Sequence, residues 1–427
     1  MKTILSLCLA ALLGMALSVS AATYTWNAGT ADWTNMLSWT PSSGYPSATG
    51  DEALLPQQAA ATYTINLQPG NAVTVGVIRM TSEANQSYRI FNPVSSTTRS
   101  DIYLDNSSGN ARIEMLTSAG NGKLTIDGQA AARHRMYFMD DVDIVVSNGS
   151  AGEDVDVLRT LFYGTNRTIN KYGAGTLRMF YTNTDGTGLD NCLFRIHEGE
   201  FVYARNNVTP NCTIEMMPGT TLYYRYLNVG HRGDLILRNN TTMRAGANGV
   251  ATDQQGNIMI DGAVEMEVFA GNTVVEVQGT LSGTGTVTKT GVQTNYFVGP
   301  ISPGASAGTI IIDESEGAVL FSNGTDLAEL QVEEGDMLVL QNFDSPLDLS
   351  AMDVLFLTPM FPGPTTNWFL TCDSGIANTF NSVNYTNGLT GTVIYDVGNN
   401  RVGAVVIPEP VAALAAVFAL LYAARRK

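Results

Sequence analysis

Carboxylates stand close together in this chain at Asp140-Asp141, another stands at Asn183-Thr184-Asp185, and a histidine follows a glycine at Gly230-His231. A pair of carboxylates can activate a water on one side of a bond and protonate the leaving oxygen on the other. His134, His197 and His231 are scattered, and none stands beside a nucleophile in an elbow or triad pattern. His197 is expected to face outward beside Glu198, at the end of its strand. The acidic groups Asp140-Asp141-Asp143 and Glu153-Asp154-Asp156 offer the hard oxygen ligands that Ca²⁺ takes. Neither has the spacing of an EF-hand or sits in a glycine-rich nonapeptide, so both read as solvated turns. Cys192 and Cys212 are 20 residues apart, an interval that could bring their thiols together in an oxidising compartment or leave them as buried thiols on stacked strands. No Cys/His cluster has metal-ligand spacing, and neither a metal nor another cofactor is expected.

The elements that would position these groups are short strands punctuated by glycine. From Lys171 to Val202 the chain reads KYGAGTLRMFYTNTDGTGLDNCLFRIHEGEFV, two β-rich segments set between Gly, Asn and Asp turns. Glycines then recur: Gly175 to Gly199 is 24 residues, Gly199 to Gly219 is 20, and Gly233 to Gly256 and Gly256 to Gly279 are 23 each. That interval suits one coil of a stacked β-solenoid, whose apolar face must be covered by the next coil about 4.8 Å away. Val264-Glu265-Met266-Glu267-Val268 shows the alternation of a strand with one face buried and one wet.

The 427 residues include 42 glycines and only 15% charged side chains, a composition that suits a large, turn-rich β protein. The net charge of −16, from 23 basic and 39 acidic residues, disfavours nucleic-acid binding, which draws on clustered Lys and Arg. The predicted fold is therefore all-β: a right-handed parallel β-helix between an N-terminal aromatic cap and a C-terminal β-rich cap, with a short hydrophobic helix at each end of the chain.

The predicted boundaries are a signal peptide over 1–22, the N-terminal cap over 23–58, the solenoid over 59–315, the C-terminal cap over 316–406 and a sorting segment over 407–427. Residues 1–22 have Lys2, an apolar run and a small-residue exit at Val19-Ser20-Ala21, the form of an export signal. Trp26, Trp33 and Trp39 cluster near the start, either covering the open end of the rod or forming a platform for sugars. At the other end Pro408-Glu409-Pro410 precedes an uncharged run and Arg425-Arg426-Lys427. A helix of that length, about 21 Å, is short for a bilayer of about 30 Å, and its basic end should stay cytoplasmic.

That tail resembles the PEP-CTERM sorting signal of Gram-negative bacteria, with the Pro-Glu-Pro motif, hydrophobic helix and basic terminus in order. The resemblance implies an exosortase-type processing enzyme as a partner, membrane contact through the C-terminal helix before processing, and delivery to the outer surface or the exopolysaccharide matrix. Lys171, Gly173, Gly175, Thr176, Leu177, Asn183, Thr184, Gly186 and Gly199 are similar to the autotransporter-associated β-strand repeat, which implies a passenger-like rod. No C-terminal translocator barrel follows it. Asp140-Asp141, Asn183-Thr184-Asp185 and Gly230-His231 also resemble fragments of the polygalacturonase family, but the carboxylate pair comes before the Asn-Thr-Asp rather than after it. The expectation is an exported, non-catalytic structural or adhesive protein that binds exopolysaccharide or a surface glycan. The alternative is a β-helical polysaccharide lyase or glycosidase, or a lectin.

Overall fold

A computed structural model describes residues 21–58, 62–81, 86–94, 98–116, 122–128, 134–147, 160–180, 188–204, 212–225, 231–246, 252–270, 275–303, 308–360, 367–386 and 388–408. The chain is a parallel β-solenoid of about 11 turns. Asn183, Thr184, Gly186, Glu153-Asp154-Asp156, both expected terminal helices and the sorting residues Glu409, Pro410, Arg425, Arg426 and Lys427 lie outside the described residues. Pro408 ends the last strand, Arg401–Pro408.

Coils lay their strands on the coil before in parallel register, with a shift at Ala245/Gly246, so one side chain per layer falls into a column running along the axis. On one face Val142, Ile169, Phe194, Ile214, Leu235, Ile258 and Leu281 succeed one another inward, all buried. On a second face Leu177, Phe201, Leu222, Met243 and Met266 do the same. Each side chain that leaves water in such a column contributes about 1.5–3 kcal/mol, and in a solenoid only the next layer supplies that cover.

Coil length changes along the rod. Ile78 sits beneath Ile113 and Ile113 beneath Ile144, steps of 35 and 31 residues, whereas Phe194, Ile214, Leu235 and Ile258 step by 20, 21 and 23. The glycine spacing is regular only where the coils are short.

The glycine period has a steric cause. Register places Cys192, Cys212, Gly233, Gly256, Gly279 and Gly299 in one column at a corner of the rod. A Cβ on Gly233 would lie 1.7 Å from the Cys212 carbonyl oxygen, and one on Gly256 2.0 Å from that of Gly233. Backbones pass too closely there for any side chain.

The ladder continues past residue 315. Ala328–Val332 pairs in parallel with Met352–Phe356, which pairs in parallel with Ser382–Tyr385. Strands pair antiparallel at both ends: Thr23–Trp26 with Trp39–Thr40 in the first coil, and Arg401–Pro408 between Asn367–Cys372 and Leu389–Asp396 in the last.

At the other end the three tryptophans are fully buried. Trp39 meets Trp26 and Trp33 edge-on at centroid distances of 4.9 and 5.2 Å, and the Trp33 and Trp39 indoles donate to the carbonyls of Pro46 and Trp33. They are core of the first coil. The sugar-platform reading is overturned, because no indole face remains for a ligand.

Candidate functional site

Of the repeat residues, Lys171 holds the most unexpected position. It belongs to strand Thr168–Tyr172 and points inward, in a column between Ile144 and Ile196. It is fully buried, and its ammonium donates to the carbonyls of Gly173, Gly175 and Glu198. Those three acceptors match the three N–H donors of a lysine. The Glu198 carboxylate in turn accepts from the Gly173 amide at 3.0 Å. Gly199 has φ +70°, and a Cβ there would lie 2.5 Å from the lysine nitrogen. Gly175 donates its amide to Val146, Thr176 donates its hydroxyl to Glu200 at 3.0 Å, and Leu177 is core.

The clamp occurs a second time, and sequence reasoning missed it. Lys289 is buried and donates to the carbonyls of Thr290, Gly291 and Glu316, while the Glu316 carboxylate accepts from the Gly291 amide at 3.0 Å. Gly317, with φ +76°, stands where Gly199 stands. The signal was present: Lys-x-Gly followed by Glu-Gly, with 27 residues from lysine to glutamate in both copies. Burial pulls the Lys171 ammonium down to about 8, against the opposing pull of Glu198 and Glu200. Lys289 is lowered by burial in the same way, with Glu314 and Glu316 opposing.

Among the described residues, Ser100 and His134 make the pairing most like a nucleophile with its base: Oγ lies 2.7 Å from Nδ1. Both are fully buried, with Asn92 donating to Ser100 at 3.3 Å, so the pair is an internal polar rung of the solenoid. Burial holds His134 down to about 4. His231 is also interior. Neither of its ring nitrogens makes a hydrogen bond, Tyr203 and Tyr224 flank it at 5.8 and 6.3 Å, and burial again holds it down to about 4. His197 does face outward, stacked on Tyr172 at 4.4 Å.

Asp185 and Gly230 lie outside the described residues, and the described members of the expected constellation, Asp140, Asp141 and His231, do not converge. Asp140 accepts from the Asn106 amide at 2.6 Å and Asp141 from the Thr168 amide at 2.9 Å. Asp143 accepts from the side chains of Asn110 and Asn170. Register sets Asp141 in the column of Asp234, four layers away, so the carboxylate pair and His231 are separated by about 19 Å of stacked sheet. These carboxylates close turns between coils. Cys192 and Cys212 stand in register on adjacent coils, both buried and both in the reduced form in this structure.

The outward columns carry polar groups in rows. Thr176, Glu200, Thr221, Thr242, Glu265, Thr288 and Asp313 occupy seven successive layers of one column, all half-buried. Glu265 accepts from the hydroxyls of Thr242 and Thr290, at 3.3 and 2.8 Å, and borders a shallow depression of about 360 Å³ that Asn240 and Thr288 also line. In a separate sheet of the earlier coils the rings of Tyr103, Tyr137 and Tyr163 stack at 4.6 and 4.9 Å. Elsewhere the outward charges pair between layers: Arg79 with Glu52 at 2.6 Å, and Glu215 with Arg195 and Arg238 at 2.8 and 2.7 Å. Burial pushes the Glu215 carboxyl up, but its two arginines outweigh that and hold it below the usual range.

No family model, curated protein or solved structure matches this chain.

Proposed function

We propose that this chain is an exported, non-catalytic structural or adhesive protein of the bacterial cell surface or exopolysaccharide matrix. The observation that carries the reading is the hydroxyl and carboxylate column from Thr176 to Asp313. It repeats a hydrogen-bonding group once per layer, every 4.8 Å or so, along a straight wall. An extended glycan advances by a similar distance per sugar, so the same contact can recur along such a polymer. Many weak, repeated contacts give avidity without a deep pocket.

The export-like start and the PEP-CTERM-like tail supply the route: secretion, membrane capture through the C-terminal helix, then processing by an exosortase-type enzyme. The acidic surface supports solubility outside the cell and disfavours nucleic acid as a partner.

Two measurements test this. Co-sedimentation with exopolysaccharide from the producing bacterium should retain the protein, and the triple variant Thr242→Val, Glu265→Gln, Thr288→Val should lose most of that binding while keeping its β circular dichroism. Equal retention of both proteins would remove the glycan reading. For the route, cell fractionation with intact mass should find the tail missing from the surface form. A full-length chain outside the cell, placed identically with and without residues 408–427, would remove the sorting reading.

A further inference from the structure

We propose that Cys192 and Cys212 close into a disulfide that staples two successive coils when the chain folds in an oxidising compartment. Leu193 pairs with Thr213 and Ile196 with Met216, and the Thr213 amide donates to the Cys192 carbonyl at 2.9 Å, so the two cysteines are neighbours in adjacent layers. Adjacent strands lie about 4.8 Å apart, inside the span of about 4.4–6.8 Å that a disulfide bridges between Cα atoms. Both side chains are turned away from water, at 2% and 1% exposure.

The site is also placed to matter. In the following coils this corner is occupied by Gly233, Gly256, Gly279 and Gly299, whose backbones are in close contact and admit no side chain. Cys192 and Cys212 therefore stand in the two layers directly before the tight glycine corner begins. A covalent link there would fix the register of the first short coil on the last long one. Cys372, the third buried cysteine, sits in register with Leu340, so the layer beneath it offers no sulfur.

The step is thiol–disulfide exchange with an external disulfide, either a dithiol oxidase or oxidised glutathione. One cysteine thiolate attacks a sulfur of the oxidant and expels the first thiol. The second cysteine then attacks the mixed disulfide and expels the other. Overall two cysteine thiols and one disulfide become one cystine and two free thiols, and the oxidant takes up both electrons and both protons. The exchange has to occur while the coils are still assembling, because the finished structure buries both sulfurs.

The test uses the full chain, refolded from guanidinium in a mixture of oxidised and reduced glutathione. It is then unfolded in N-ethylmaleimide and mapped by peptide mass. Cys8 and Cys372 should carry the alkyl group, with the Cys192 and Cys212 peptides linked until dithiothreitol is added. The oxidised protein should unfold at higher urea than the reduced one, and Cys212→Ser should abolish that difference. Alkylation of both Cys192 and Cys212, a link from either of them to Cys372, or folding only in the presence of reductant would each overturn the proposal. Its outcome is independent of the glycan reading, which rests on a different face of the rod.

Discussion

The Lys171 ammonium donates to the backbone carbonyl of Glu198, one coil further along, and the Glu198 carboxylate returns to the Gly173 amide beside the lysine. A charged side chain inside an apolar column is costly unless every donor is met, and here all three are. The result is a link that sets which residue lies above which. Lys289 and Glu316 repeat it five layers later on a different face.

Lys171→Met should therefore destabilise the rod by about 3 kcal/mol or more, because it strands the carbonyls that the ammonium satisfied. Gly199→Ala should be comparably harmful, since it adds a positive-φ penalty to a collision with the lysine. Urea unfolding followed by circular dichroism measures both. A loss under about 0.5 kcal/mol for Lys171→Met would show the clamp to be dispensable.

The same lysine gives a pH signature. Its folded value of about 8 lies below the ordinary lysine value of 10.5, so between the two the unfolded chain holds a proton that the folded chain has released. Stability from this group therefore rises with pH across that window. Native-state titration should show the rise in the wild-type protein and a smaller one in Lys171→Met.

At acid pH the buried histidines act in the corresponding way. His134 and His231 are held at about 4 against an ordinary value of 6.5, so stability is intact above 6.5 and falls as pH drops toward 4. Each can contribute a loss on the order of 3 kcal/mol. His231→Phe should fold well at pH 7, because neither nitrogen has a partner to lose, and should unfold less readily at pH 4.5 than the wild type. An unchanged slope of stability against pH in that variant would refute the assignment.

The glycines should divide sharply. Gly256→Ala sets a Cβ 2.0 Å from the Gly233 carbonyl oxygen and should cost about 3 kcal/mol or more, whereas Gly29→Ala meets nothing within 4 Å and should cost under about 0.5. Thermal unfolding of the two variants side by side decides this.

The middle ring of the tyrosine stack offers a milder test. Tyr137→Ala removes two ring contacts and should cost about 1–2 kcal/mol without altering the coil. The Tyr137 phenol is raised above its usual value by burial and by the charge of Asp101, so ultraviolet titration should show its late ionisation disappear in the variant.

Alternation in stretches such as Val264 to Val268, with glycines at intervals near 23, was enough to read stacked parallel coils and an apolar interior, because both features are imposed locally: strand geometry faces alternate residues inward, and a turn must return each coil to its start. The Trp26, Trp33 and Trp39 cluster was legible as aromatic material near one end, but only packing decided that all three rings are core. Ser382–Tyr385 still pairs in parallel after the glycine period has lapsed, since register is held by apolar columns as well as by turns. What the linear chain could not decide is which distant residues share a layer. Nothing in the linear chain buries Lys171 until Ile144 and Ile196 are stacked on either side of it, and nothing joins Ser100 to His134 until the coils bring them to 2.7 Å inside the wall. Coil lengths of 20 to 35 residues decide those meetings, and each length is the sum of many turn conformations, so the tertiary structure alone fixes the contacts between layers.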